Sequence, residues 1–184
     1  MRTSPLTVVA AALTAGLVAA ATLTHAASGP ITQAAVPGEP ASRLEVPAQA
    51  TEPAPSADER MARLLAEQID AARAEHGLPP YQYDAAVAAA ATAHSADQAA
   101  HDRMSHTGSD GSNAGQRLTR YGVTWQSWGE NVGAGFTEPA SLLQAWLDSP
   151  SHRPTVLSST YTRVGVGVVA AADGTRYWTM DAVG

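Results

Sequence analysis

Apolar side chains recur at helical spacing from residue 61 onward, then switch to a period of two in the last third of the chain. Met61, Leu64, Leu65, Ile69 and Ala72 stand three or four residues apart, which is the stripe of an amphipathic helix. The stripe follows Ser56-Ala57-Asp58-Glu59. In such a capping box the Ser hydroxyl accepts from the third helical amide while the Glu side chain accepts from the amide of the Ser itself. Gly77 and Pro79-Pro80 stop the helix. Asp84 caps a second, Ala-rich helix running to about Arg103, whose small side chains suit close packing against another element. A shorter helix follows Ser112, with Leu118 on its inner side. Thr137-Glu138-Pro139 opens a fourth, which carries Leu142, Leu143, Trp146 and Leu147 and ends before Pro150.

Beyond Tyr161 the pattern is that of strands. Val164, Val166 and Val168 alternate with Gly165 and Gly167, and Tyr177, Thr179 and Asp181 alternate with Trp178 and Met180. Asp173-Gly174 between them signals a hairpin. Residues 131–135 supply a third short strand. Helices flanking a small antiparallel central sheet predict an α/β fold, an α-β-α sandwich. No internal repeat is visible.

Residues 1–26 read as a secretory signal. Arg2 is the single charge in a stretch whose run from Leu6 to Leu23 is broken only by Thr and Gly, and Thr24-His25-Ala26 offers a small residue for cleavage. An uncleaved anchor is the rival reading; the Ala and Thr content makes the run weakly hydrophobic and favours cleavage. Residues 27–57 hold six Pro among Ala, Ser, Glu and Gln and read as an extended linker. The folded domain is then 58–184, and a monomer is the expected state. The product is expected outside the cell, free or associated with the cell surface.

The chain has no Cys. This removes disulfides, a thiol nucleophile, thiolate metal sites and lipid attachment through an N-terminal Cys. A domain of ~125 residues buries enough apolar surface to do without cross-links. Net charge is −6 and every basic side chain is Arg. No basic stripe runs along any element, which excludes a nucleic-acid binder.

The candidate chemistry lies in three short motifs: Ser105-His106-Thr107, Gly129-Glu130-Asn131 and Ser149-Pro150-Ser151-His152-Arg153. Two His and one Glu are a ligand set for catalytic zinc, so His106, Glu130 and His152 are candidate metal ligands, with a divalent ion such as zinc as the possible cofactor. Without metal, a His beside a carboxylate is an acid–base pair. The plainer reading makes each a cap or a turn anchor. No Ser sits in a GxSxG elbow, which weighs against a serine hydrolase. His94 reads as a packed helix residue and His101 as surface. The four Trp read as core, although Trp125 and Trp128, flanking Gly129-Glu130-Asn131, can instead line a groove.

The ordered series of motifs resembles the CAP superfamily, also called the SCP domain. It runs through Arg73 with Gly77-Leu78-Pro79-Pro80, Asp84, His94-Ser95-Ala96-Asp97, Ser105-His106-Thr107, Asp110-Gly111 and Arg117-Leu118. It continues through Gly129-Glu130-Asn131-Val132, Trp146, Ser149-Pro150, His152-Arg153, Tyr161-Thr162 and Val164-Gly165-Val166-Gly167. The likeness covers about residues 62–183 and is strongest to the bacterial, Cys-free branch. It implies a cleft over the sheet in which a His/Glu tetrad can bind a divalent metal. His106 matches the first His of that tetrad and Glu130 its first Glu. Asp148 and Ser149 stand where the second Glu falls, and Thr160 where the second His falls; His152 belongs to the bacterial pattern. Members of the family have been associated with sterol or lipid binding, signalling, wall-associated roles and occasional proteolysis.

The expectation is a secreted, non-catalytic binding module. It takes a small apolar, peptide or cell-wall ligand through a cleft lined by His106, Glu130, Asn131 and His152, or through a groove beside it. The alternative is a metal-assisted extracellular hydrolase acting on peptides or wall material. A structural surface protein comes third.

Overall fold

The computed structural model describes residues 54–184; the expected signal, 1–26, and the expected linker up to residue 53 lie outside the described residues. Helix α1 spans Ala57–Glu75, with both capping-box hydrogen bonds formed between Ser56 and Glu59. A two-residue strand β1, Gln82–Tyr83, precedes α2, Ala85–Ala100. Asp84 caps α2 by accepting from the amides of Ala86 and Val87. The helix stops three residues short of Arg103, where Asp102 adopts a left-handed φ of 46°. Helix α3, Ala114–Arg120, carries a capping box of its own between Asn113 and Gln116. Then follow β2, Trp128–Ala134; α4, Pro139–Asp148; the single turn α5, Arg153–Val156; β3, Arg163–Ala170; and β4, Arg176–Val183.

The strand order is β1-β3-β4-β2. The three long strands pair antiparallel as predicted, and β2 begins three residues before residue 131. The edge strand β1 pairs parallel with Arg163 and Val164 of β3, so the sheet is mixed rather than purely antiparallel. Two residues are too few to display a period, so neither β1 nor the single turn α5 leaves a mark in the hydrophobic pattern.

Alternation along β3 and β4 assigns the faces. Val164, Val166, Val168, Trp178, Met180 and Ala182 pack against Leu65 and Ile69 of α1 and Leu142 and Trp146 of α4. The buried Trp146 also donates its indole N–H to the carbonyl of Val132. Gly165, Gly167, Thr179 and Asp181 face the other way, beneath α2. A Cβ on Gly165 would run into the backbone of Val87 and Ala88, and one on Gly167 into that of Ala91 and Thr92. The helix backbone therefore rests directly on β3. Ser95 bonds the carbonyl of Gly167 at 3.1 Å and Thr179 Oγ1 at 3.0 Å, and Gln98 reaches the same Thr179. Val87, Ala90, Leu118, Val123 and Val183 close this side as a smaller core.

Gly167→Ala tests that seat. A methyl group there must lift α2, at a cost of ~1–3 kcal/mol or more. Urea denaturation should show the loss, and unchanged stability would mean that α2 does not bear on the sheet.

Candidate functional site

Glu130 lies near the start of β2, opposite Asp181 of β4. Its carboxylate is almost sealed, with a side chain 2 % exposed. His106 Nδ1 donates to Oε1 at 2.9 Å, and Arg117 Nη2 makes an ion pair with Oε2. His94 Nε2 lies 3.9 Å from the same Oε2 and donates to the Ser105 carbonyl at 2.7 Å. Arg117, itself buried, also donates to the carbonyls of Ser112 and His106. It thus fastens the loop between α2 and α3 over Glu130. The same loop is held from α2 by Gln98, which accepts from the Ser105 amide, and by Asp97, which accepts from Ser109.

Asp181 is fully buried, and neither of its oxygens accepts a hydrogen bond among the described residues. Burial holds its pKa well above the usual carboxylate range, and the neighbouring Glu130 carboxylate pushes the same way, against the Arg117 guanidinium. Two like charges directly opposite in a sheet repel, so Asp181 is the carboxyl that holds its proton beside the ionised Glu130. Burial lowers the His94 pKa, which keeps that ring neutral. The hydrogen bond to Glu130 raises that of His106. Burial and the charge of His106 lower that of His152.

The four residues singled out from sequence do not form one cluster. His106 and Glu130 meet. His106 exposes 59 % of its side chain and turns its free Nε2 away from the Glu130 bond. His152 lies near enough to feel the charge of His106, but its Nδ1 bonds Ser149 Oγ at 2.8 Å. Asn131 follows Glu130 in the strand and so lies on the opposite face. Its Nδ2 donates to the His152 carbonyl at 2.9 Å, a tether for the loop after α4. Arg117, His94 and Asp181 belong to the cluster and were not singled out as site residues. Asp181 was visible as a carboxyl on the same strand face as Tyr177 and Thr179, where a charge has no reason to be unless the site uses it.

The Glu130 carboxylate is not free to ligate the divalent metal that the family resemblance implies. An ion would have to displace His106 or Arg117 from Glu130. Among the described residues no three His, Asp or Glu side chains are grouped to hold one.

Residues 66–182 match the family model of CAP, the cysteine-rich secretory protein family. The chain belongs to that family. This CAP domain is similar to the uncharacterized protein YkwD of Bacillus subtilis, 28 % identical over 134 residues that cover 73 % of this chain and 51 % of the relative. It is 33 % identical over 96 residues to the uncharacterized membrane protein YlbC of the same organism, covering 52 % of this chain and 28 % of the relative. The chain thus spans about half the length of these curated relatives or less. Among solved structures, an extracellular protein containing a SCP domain from Bacillus anthracis superposes with a TM-score of 0.61 at 28 % identity, covering 71 % of this chain and 45 % of that one. An outer surface protein of Borrelia burgdorferi shares the fold, with a TM-score of 0.64 at 19 % identity over 68 % of this chain and 92 % of that one.

A second feature of the CAP domain is a groove of about 1230 Å³ between α1 and α2. Because β1 ends at Tyr83, no strand among the described residues covers the outer edge of β3 beyond Val164, and Val166, Val168 and Val169 reach the groove. Ala89, Thr92, Ala93 and Ala96 of α2 form one wall, and Arg63 and Leu64 of α1 the other. Leu64 is 43 % exposed there.

Two outcomes test the cluster. A carboxyl whose folded pKa is raised contributes stability below its unfolded value, near 3.8, and loses that contribution as pH rises through the folded pKa. Asp181→Asn keeps a donor toward Glu130 and removes the ionisation. Its denaturation midpoint should gain on the parent's as pH rises from the unfolded value near 3.8 through the raised folded pKa; the opposite trend would mean that Asp181 is ionised in the fold. Zinc should leave the melting temperature unchanged. A zinc-dependent rise that His106→Ala abolishes would mean that Glu130 exchanges its present partners for the ion.

Proposed function

We propose that this CAP domain is a non-catalytic extracellular binding module that takes an apolar, extended ligand in the groove between α1 and α2. The groove is the observation that carries the reading. Its α2 wall and β3 floor are small and apolar, Leu64 sits exposed within it, and the α1 wall adds a charged rim of Asp58, Glu59, Arg60, Arg63 and Glu67. Burying such surface under an acyl chain or an extended apolar segment contributes roughly 25 cal/mol per Å². The His/Glu cluster serves this module as a clamp that keeps the loop over β2 in place, because the Glu130 carboxylate is closed to a ligand by His106 and Arg117. The description of the Bacillus anthracis relative as extracellular supports a place outside the cell. Among the described residues no helix is long and apolar enough to cross a membrane. Export through the 1–26 signal and spacing by the 27–57 linker complete the reading.

The rival hydrolase rests on one observation. Glu130 orients His106 Nδ1 and leaves Nε2 to solvent, with a raised pKa, which is how a carboxylate positions a general base. No activated nucleophile faces it, so water would have to attack.

A fluorescent long-chain fatty acid distinguishes the two. The purified domain should bind it without consuming it. Ala89→Trp and Ala93→Trp, which fill the groove from α2, should weaken binding about tenfold or more, while His106→Ala leaves it intact. Steady turnover of a peptide or wall fragment, lost in Glu130→Gln, would overturn the binding module.

A further inference from the structure

Two large aromatic rings are exposed beside α3, outside the groove lining. Trp125 is 37 % and Trp128 36 % exposed, while Trp146 and Trp178 are core. Both exposed indoles rest on α3 at Gly115. A Cβ there would lie 2.5 Å from Trp128 Nε1 and 3.0 Å from Trp125 Cζ2, so the missing side chain is what lets the two rings share one seat. Thr119 Oγ1 accepts the Trp125 indole N–H at 3.2 Å and donates to the Gly115 carbonyl at 2.9 Å, fixing the ring. The rings are therefore held in place while part of each stays open to solvent.

Beside them opens a shallow pocket of about 430 Å³, rimmed by Asn113, Gln116 and Arg120. The amide oxygens of Asn113 and Gln116 are each taken by the other's backbone N–H, at 2.9 and 3.0 Å. Their NH₂ groups are left to point outward as donors. Arg120 spends Nη1 on Asp110 and keeps Nη2. The rim thus offers hydrogen-bond donors around two flat apolar faces. A pyranose ring has the complementary chemistry: an apolar C–H face for an indole and oxygens at its circumference for donors. An acetamido group adds a methyl for the ring and a carbonyl for an amide. An acyl chain would leave the donors unused. The chain's net charge of −6 and the pairing of Arg120 disfavour a polyanionic nucleic acid.

From this arrangement we infer that Trp125 and Trp128 form a binding platform for an N-acetylated glycan, a second site independent of the groove. Each pyranose stacks on an indole, and Asn113, Gln116 and Arg120 donate to its oxygens. The probe is an N-acetylglucosamine tetramer, titrated into the full chain while the four indole N–H resonances are followed by NMR. Trp125 and Trp128 should shift together while Trp146 and Trp178 stay. The matching glucose tetramer, which lacks acetamido groups, should bind about tenfold more weakly, the order of difference expected for one lost hydrogen-bonding group. Trp125→Ala should abolish the shift of Trp128, and Ala93→Trp in the groove should leave the sugar titration unchanged. Gly115→Ala, which unseats the rings, should weaken binding without unfolding the core. No movement of the two exposed indoles, equal binding of the two tetramers, or movement only with fatty-acid micelles would overturn the assignment.

Discussion

The seating of α2 on β3 is the constraint on which the remaining architecture depends. Gly165 and Gly167 bring the helix backbone into contact with the strand, closer than any pair of larger residues allows. This contact delivers His94, Ser95 and Gln98 to the sheet as buried polar groups, and each finds a partner there or in the loop above. It also turns the opposite, Ala-lined side of α2 toward the outer edge of β3, where the strand outruns its partner β1. One close approach thus yields both the polar cluster and the apolar groove.

The cluster solves an electrostatic problem within the domain. Placing Glu130 and Asp181 opposite each other under a helix is costly if both are ionised. Protonating Asp181 and pairing Glu130 with Arg117 leaves one buried negative and one buried positive charge in contact. Arg117 reaches Glu130 only because the loop between α2 and α3 folds back, and that loop is held in turn by Asp97, Gln98 and Arg117 itself. Charge neutralisation and loop order are therefore one interaction described from two ends.

Much of this was legible in the sequence because it is local. The Ser56–Glu59 and Asp84 caps, the Asp173-Gly174 hairpin, the alternating valines of β3 and the helix stop at Pro150 each follow from neighbours a few residues apart. The ordered motifs pointed to the CAP family and to His106 and Glu130 as partners. Long-range geometry was not legible. Asn131 was grouped with Glu130 because they adjoin in sequence, although adjacency in a strand places them on opposite faces. His152 was grouped with His106 by residue type, yet its ring is engaged by Ser149 three residues away. Asp181 reads as one more position in an alternating strand, since nothing local says that Glu130, about fifty residues earlier, lies across from it. Residue type alone leaves Trp125 and Trp128 open between core and groove lining, and the glycine at 115 shows why they are seated at the surface.

The sheet order separates what the two edges can do. The groove follows the outer edge of β3, and the tryptophan pair sits at the start of β2, the strand at the opposite edge. Between them β4 is covered on both faces, and Asp181 and Glu130 lie in that protected interval. A ligand at either edge therefore meets a surface set apart from the buried Glu130–Arg117 pair. His106 is the exception, since its Nε2 faces solvent while its Nδ1 is held by Glu130. Its protonation adds a positive charge above Glu130 without disturbing the Arg117 pair. Any acid–base chemistry or pH response at this face would thus act through one exposed ring, with the buried carboxyl pair as its fixed counter-charge rather than as a reactant.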